Sequence, residues 1–192
     1  MIKGAVVQMI SDIVCEYLVK RKLDGVQIAK AAGVFVVGFV VSWFLRAIGI
    51  IADRSGMLAA VFLLGGLALT IYLARFMLMV EYEYTLVNGE LTIDRILAQS
   101  SRKKMTDVNV KTIEKMGKYD PEVVSTLKAS DVKDYSAGKD DPNTLFIYCK
   151  DEKSTGNTVI LFTPNQKILD GMKPYVSATV YREAFREKKA NP

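Results

Sequence analysis

SGMLAAVFLLGGLALTIYLA, residues 55–74, lies between Arg54 and Arg75 and carries no charge. At 1.5 Å per residue, twenty such positions cover the roughly 30 Å hydrocarbon core of a bilayer. FMLMV then carries the apolar run to Val80. Ahead of it, AAGVFVVGFVVSWFL fills the fifteen positions between Lys30 and Arg46, and AIGIIA continues it to Ala52. Arg46 falls about two turns from the end of that segment, where its stem carries the guanidinium toward the interface. A charge costs roughly 3 kcal/mol at the bilayer centre and less toward the ends, and about twenty apolar neighbours outweigh it. The reading is a transmembrane helical hairpin over residues 29–80, with spans of about 29–52 and 55–80. A buried hairpin of a soluble protein is the alternative, but a 192-residue chain has little with which to cover two such runs.

The flanks set the orientation. Lys20, Arg21, Lys22 and Lys30 precede the first span, and Arg75, Arg95 and Arg102–Lys104 follow the second, whereas the connecting turn holds Arg46 and Arg54 beside Asp53. The positive-inside bias places both termini in the cytoplasm, in a multi-pass protein of the inner membrane. Trp43 and Tyr72 suit the interface or the contact between helices. Neither span contains Asp, Glu, His, Asn or Gln, which argues against an ion or proton pathway. Gly33, Gly38, Gly65 and Gly66 let backbones approach, within the hairpin or in a homo-oligomer.

Charge is split unevenly along the chain. Residues 1–80 hold eight basic against four acidic side chains, and residues 81–192 hold eighteen against seventeen. The basic excess is a membrane-flank effect, so no nucleic-acid partner is expected. Residues 1–28 read as an amphipathic cytoplasmic or interfacial helix, with Ile2, Val6, Met9, Ile13 and Tyr17 near helical spacing and Lys20–Lys22 at its end. It either lies on the membrane or docks on the following domain, and it lacks the order of a signal peptide.

From Glu81 the apolar period changes to two. Tyr82, Tyr84 and Leu86 share one side of a strand, Asn88–Gly89 signals a tight hairpin, and Leu91 and Ile93 follow. Further strands are expected near Arg102–Thr106, Val108–Ile113, Val132–Ser136, TLFIYCKD and NTVILFT, with a helical turn after Pro121. Thr163-Pro164-Asn165-Gln166 reads as a capping box opening a closing helix that Pro174 interrupts. The fold class is α+β: an N-terminal helix and a membrane hairpin, then a small antiparallel β barrel or sandwich over 81–192 with a C-terminal helix.

EYLVKRK at 16–22, EYEYTLVNGELTIDRI at 81–96 and LFTPNQKILDGMKPYV at 161–176 together resemble small bacterial two-span membrane proteins of unknown function with a cytoplasmic pleckstrin-homology-like (PH-like) domain. The resemblance covers most of the chain, implies fold and topology, and departs in the polar 119–143 stretch. It implies no activity, because a fold does not carry a function.

Arg102–Lys103–Lys104 is the local cation cluster of the domain, suited to anionic lipid headgroups or another partner, or else a solvated strand edge. Tyr82 and Tyr84 are the accompanying candidates for partner contact. Glu81 and Glu83 form an i, i+2 carboxylate pair that could draw a cation. Cys15 and Cys149, with no histidine in the chain, make neither a zinc site nor a Cys–His nucleophile. No phosphate-binding or nucleophile-elbow motif occurs. No catalytic residue, cofactor or metal is expected. The expected function is a non-enzymatic scaffold that recruits a protein or peptide at the bilayer, with a self-assembling structural protein as the alternative.

Overall fold

The structure, a computed structural model, describes residues 14–53, 56–150 and 156–185. The chain opens with strand β1 (Val14–Lys20), runs through helices α1 (Gly25–Ala52) and α2 (Met57–Leu78), and enters β2 (Val80–Val87) after a single residue. β1 and β2 pair antiparallel along their length, from Val14 opposite Val87 to Lys20 opposite Glu81. The helical hairpin is therefore an insertion in the connection of a two-stranded ribbon. This corrects the helix expected over residues 1–28: 14–20 are strand, and helix begins only at Gly25, as the start of α1. Cys15, Tyr17 and Val19 point inward while Val14, Glu16, Leu18 and Lys20 are exposed, and seven residues of pairing with β2 override a local helical pattern. Positions 1–13 of that expected helix lie outside the described residues. The domain also takes its first strand from ahead of the hairpin, so it does not start at residue 81.

The hairpin inverts the usual distribution of side-chain size. Its buried positions are small: Ala31, Ser42 and Gly49 on α1, Ala59, Thr70 and Ala74 on α2. Gly38 faces Thr70 and Gly66 faces Ser42, so that a Cβ on either glycine would overlap the opposing side chain; one on Gly49 would lie 2.6 Å from Ala59 Cα. The two hydroxyls are satisfied inside the hairpin because each donates within its own helix, Ser42 to Gly38 O at 2.7 Å and Thr70 to Gly66 O at 2.8 Å. Close packing of small residues is how helices associate without a hydrophobic drive between them. Gly33 and Gly65 meet nothing, and Phe35, Phe39, Trp43, Phe44, Leu64 and Ile71 all face outward. Trp43 and Tyr72 are likewise outside the helix contact; the Arg46 guanidinium sits 5.1 Å over the Trp43 ring. Both helices are long and apolar enough to cross a membrane.

The sheet of β1 and β2 continues antiparallel through β3 (Glu90–Leu97) and β4 (Ser101–Asn109). Asn88 (φ 50°) and Gly89 (φ 87°) make the expected tight turn, and the Tyr175 ring packs so closely on Gly89 that a Cβ there would lie 2.6 Å from it. A short 3-10 turn at Val110–Thr112, capped by the Asn109 side chain, swings the chain into β5 (Ile113–Lys118) of a second sheet. Helix α3 (Pro121–Thr126) then leads to β6 (Asp131–Asp134), and β7 (Leu145–Lys150) and β8 (Asn157–Phe162) complete the order β5-β7-β8-β6. β6 runs parallel to β8, which corrects the all-antiparallel expectation. The polar 119–143 stretch carries the chain past β7 to the far edge, and the register starts where Ser130 N donates to Asn157 O at 2.8 Å.

Two short helices close the domain, α4 (Gln166–Met172) and α5 (Ala178–Ala184), with Pro174 between them. The cap of α4 is Asn165, whose side chain accepts from Ile168 N at 3.0 Å, and not Thr163. The core fills the space between the sheets with Tyr84, Leu86, Ile93, Ile147, Phe162 and Met172, all inaccessible to solvent. Each such apolar side chain contributes about 1.5–3 kcal/mol. Cys15 is half-buried and Cys149 buried, and neither is in a disulfide.

Candidate functional site

The strand alternation placed Tyr82 and Tyr84 on one face correctly, but that face is the inner one. Tyr84 is fully buried and its hydroxyl donates to Tyr135 O at 2.6 Å and accepts from Thr163 N at 3.1 Å. Burial pushes that hydroxyl's pKa well above the tyrosine range. The Tyr82 ring lies tilted against Tyr135, with ring centres 5.7 Å apart. Neither ring is available to a partner, which corrects their nomination. The outward positions of β2 are Glu81, Glu83 and Thr85, and both carboxylates are already matched: Glu81 by Lys20 at 3.7 Å, Glu83 by Arg102. Those ion pairs leave no open carboxylate pair for a cation.

The basic triplet divides across the strand. Arg102 bridges Glu83 and Asp94, the latter at 3.4 Å, and Lys104 pairs with Asp107 at 2.8 Å. The Asp107 carboxylate raises the Lys104 pKa. Lys103 points to the opposite face, directly across from Arg95, and makes no ion pair among the described residues. The three cations therefore do not act as one surface. Neighbours in a strand face opposite ways, so a contiguous basic run is divided by the pleat.

The junction of domain and hairpin is built from the residues after β1. Arg21 donates to the Tyr82 hydroxyl at 3.1 Å and to Asp134 O at 3.3 Å, and forms ion pairs with Asp134 at 3.1 Å and Asp24 at 3.4 Å. Burial works to lower its pKa, but these acceptors outweigh it and the net direction is up. Lys22 adds a backbone bond to Ala137 O at 2.6 Å and an ion pair to Asp141 at 2.9 Å. The Lys22 ammonium, followed by the Asn143 N–H, holds the Asp141 carboxyl below its usual range. On the second helix, Arg75 donates to Ala98 O at 3.1 Å, and Ala98 N donates to Met79 O at 2.8 Å. Sequence reading assigned all these cations to the membrane flank; Arg21 and Lys22 are instead held by specific partners in the domain.

An accessible recess of the domain lies at the seam where β1 meets the second sheet. It encloses about 350 Å³ and is lined by Tyr17, Lys118, Asn143, Asn165, Leu169 and Phe185 among others. Sequence reading missed it because its walls come from positions 17 to 185. The mix of aromatic and aliphatic surface, side-chain amides and one ammonium suits one or two side chains of an extended polypeptide. Among the described residues no three His, Cys, Asp or Glu side chains gather in a metal-binding group.

The family model of a bacterial PH-like domain (DUF6106) matches residues 11–182. That span takes in β1, the whole hairpin and both sheets. The chain belongs to this family. No curated protein and no solved structure matches it. Two sheets closed by C-terminal helices are the PH-like architecture, and the match treats the hairpin as part of the domain, in agreement with the pairing of β1 to β2 across it.

Proposed function

We propose that the chain is a membrane-anchored, non-enzymatic binding module. In this reading α1 and α2 span the inner membrane, both termini are cytoplasmic, and the PH-like domain recruits a protein or peptide through the seam recess. The observation that supports it best is the insertion itself. The chain leaves the sheet at Lys20 and re-enters opposite it at Glu81, with four residues on one side and one on the other between strand and helix. Such short joints hold the domain against the leaflet and limit what it reaches. The cations Lys20, Lys22, Lys30 and Arg75 at the domain end of the hairpin support the orientation. Phe185, 41 % exposed on the rim of the recess, has the character of an interface anchor.

Self-assembly has less support. Gly38 and Gly66 are occupied within the hairpin and 14–20 is paired with β2, which leaves Gly33 and Gly65 as the hairpin's open small positions. A photo-cross-linker placed at Lys118 of the full-length protein in native membranes tests the proposal, with Thr85 on the outer sheet face as the comparison. A second polypeptide trapped from position 118 but not 85, and lost in Phe185→Ala, is the expected result. Adducts of the chain with itself alone would sink the recruitment reading.

A further inference from the structure

Three cations from three elements converge on the turn between β3 and β4. Arg95 near the end of β3 and Lys103 near the start of β4 face each other on the side of the sheet that carries Tyr82. Arg75, in the last turn of α2, reaches the turn itself through Ala98 O. The Arg95 Nε is buried and has no hydrogen-bond partner, while Arg75 and Lys103 are exposed. The nearby carboxylates Glu83 and Asp94 lie on the other face and are taken by Arg102. Arg95 is half-buried with its Nε unmatched, and with Lys103 across from it and Arg75 on the same turn the local charge lacks an anion.

The position says which anion. Met79, the first residue beyond α2, accepts from Ala98 N, so the turn touches the end of an apolar helix and lies within about one strand residue, roughly 3 Å, of it. With α2 in the bilayer, that is the depth of lipid phosphates. We propose that Arg75, Arg95 and Lys103 form a contact site for the phosphate of anionic phospholipids in the leaflet beneath the domain. The site is discontinuous in sequence and keeps only the middle residue of the Arg102–Lys104 run. It rests on the proposed membrane position of the hairpin.

Native mass spectrometry of the full-length protein in neutral detergent, titrated with phosphatidylglycerol or phosphatidylcholine, tests it. The expected result is preferential retention of phosphatidylglycerol, weakened about fivefold for each cation removed, in Lys103→Gln and further in Arg95→Gln/Lys103→Gln. Lys104→Gln, already paired to Asp107, keeps the wild-type preference, and added salt weakens it. Lys103 is exposed, so its single variant keeps the test valid if the double variant misfolds. Equal retention of the two lipids, or an equal loss in Lys104→Gln, overturns the site. Inorganic phosphate displacing the lipid at matched concentration overturns the membrane as the source of the anion. Release of the protein from native membranes by alkaline carbonate would instead overturn the spanning hairpin, a separate failure.

Discussion

Ala98 and Gln99 adopt φ of 49° and 57°, left-handed angles at two successive residues that are not glycine. Each such residue costs about 1 kcal/mol, and the turn is retained because Arg75 and Met79 hold Ala98 from the helix side. Gln99 is exposed, so Gln99→Gly should relieve strain without losing packing and raise the unfolding free energy by about 0.5–1 kcal/mol, read in denaturant melts. Asp141 gives a pH test. Its folded pKa is depressed by Lys22, so its stabilisation is present above the unfolded value of about 4 and is lost as pH falls through the lower folded value. Lys22→Met should therefore melt below wild type at neutral pH, and the gap should close once Asp141 is protonated. Alternation told which of Glu81–Leu86 share a face but not which face is the inner one. Tyrosine and glutamate differ enough in burial tendency that the tyrosines, with partners for their hydroxyls, could have been placed inside from sequence.

At the scale of elements, the hairpin was the most legible part. A charge-free run of bilayer length has few other solutions, and α1 and α2 end within a few residues of the expected bounds. Which small residues form its seam was less legible: Gly33 and Gly38 look alike in sequence, and only the rotation of each helix separates them. Gly66→Val, which drives a side chain into Ser42, should cost about 1–3 kcal/mol of hairpin stability, whereas Gly65→Val, facing open space, should cost little. Steric-trapping measurements of the paired variants read the difference. β1 was misread for a physical reason. VCEYLVK has no strand partner nearby in sequence, and the residues that make it a strand begin sixty positions later. A pattern with apolar residues on both periods is settled by that distant pairing, as is the parallel placement of β6.

For the whole molecule, the structure describes one PH-like domain with a helical hairpin set into its first strand connection. The apolar faces of α1 and α2 are not needed to cover the core, since the buried cluster of both sheets includes no hairpin residue. The most direct measurement is on a variant in which residues 25–78 are replaced by a short Gly/Ser linker, leaving Arg21, Lys22 and Met79 in place. A soluble folded domain is expected, with slowly exchanging amides at 15, 17 and 19, the positions bonded to β2, and nuclear Overhauser contacts between the Tyr17 and Tyr84 rings, whose centres lie 6.2 Å apart. A domain in which β2–β4 fold while 14–20 exchange as free coil, or one that needs the hairpin to fold, would contradict it.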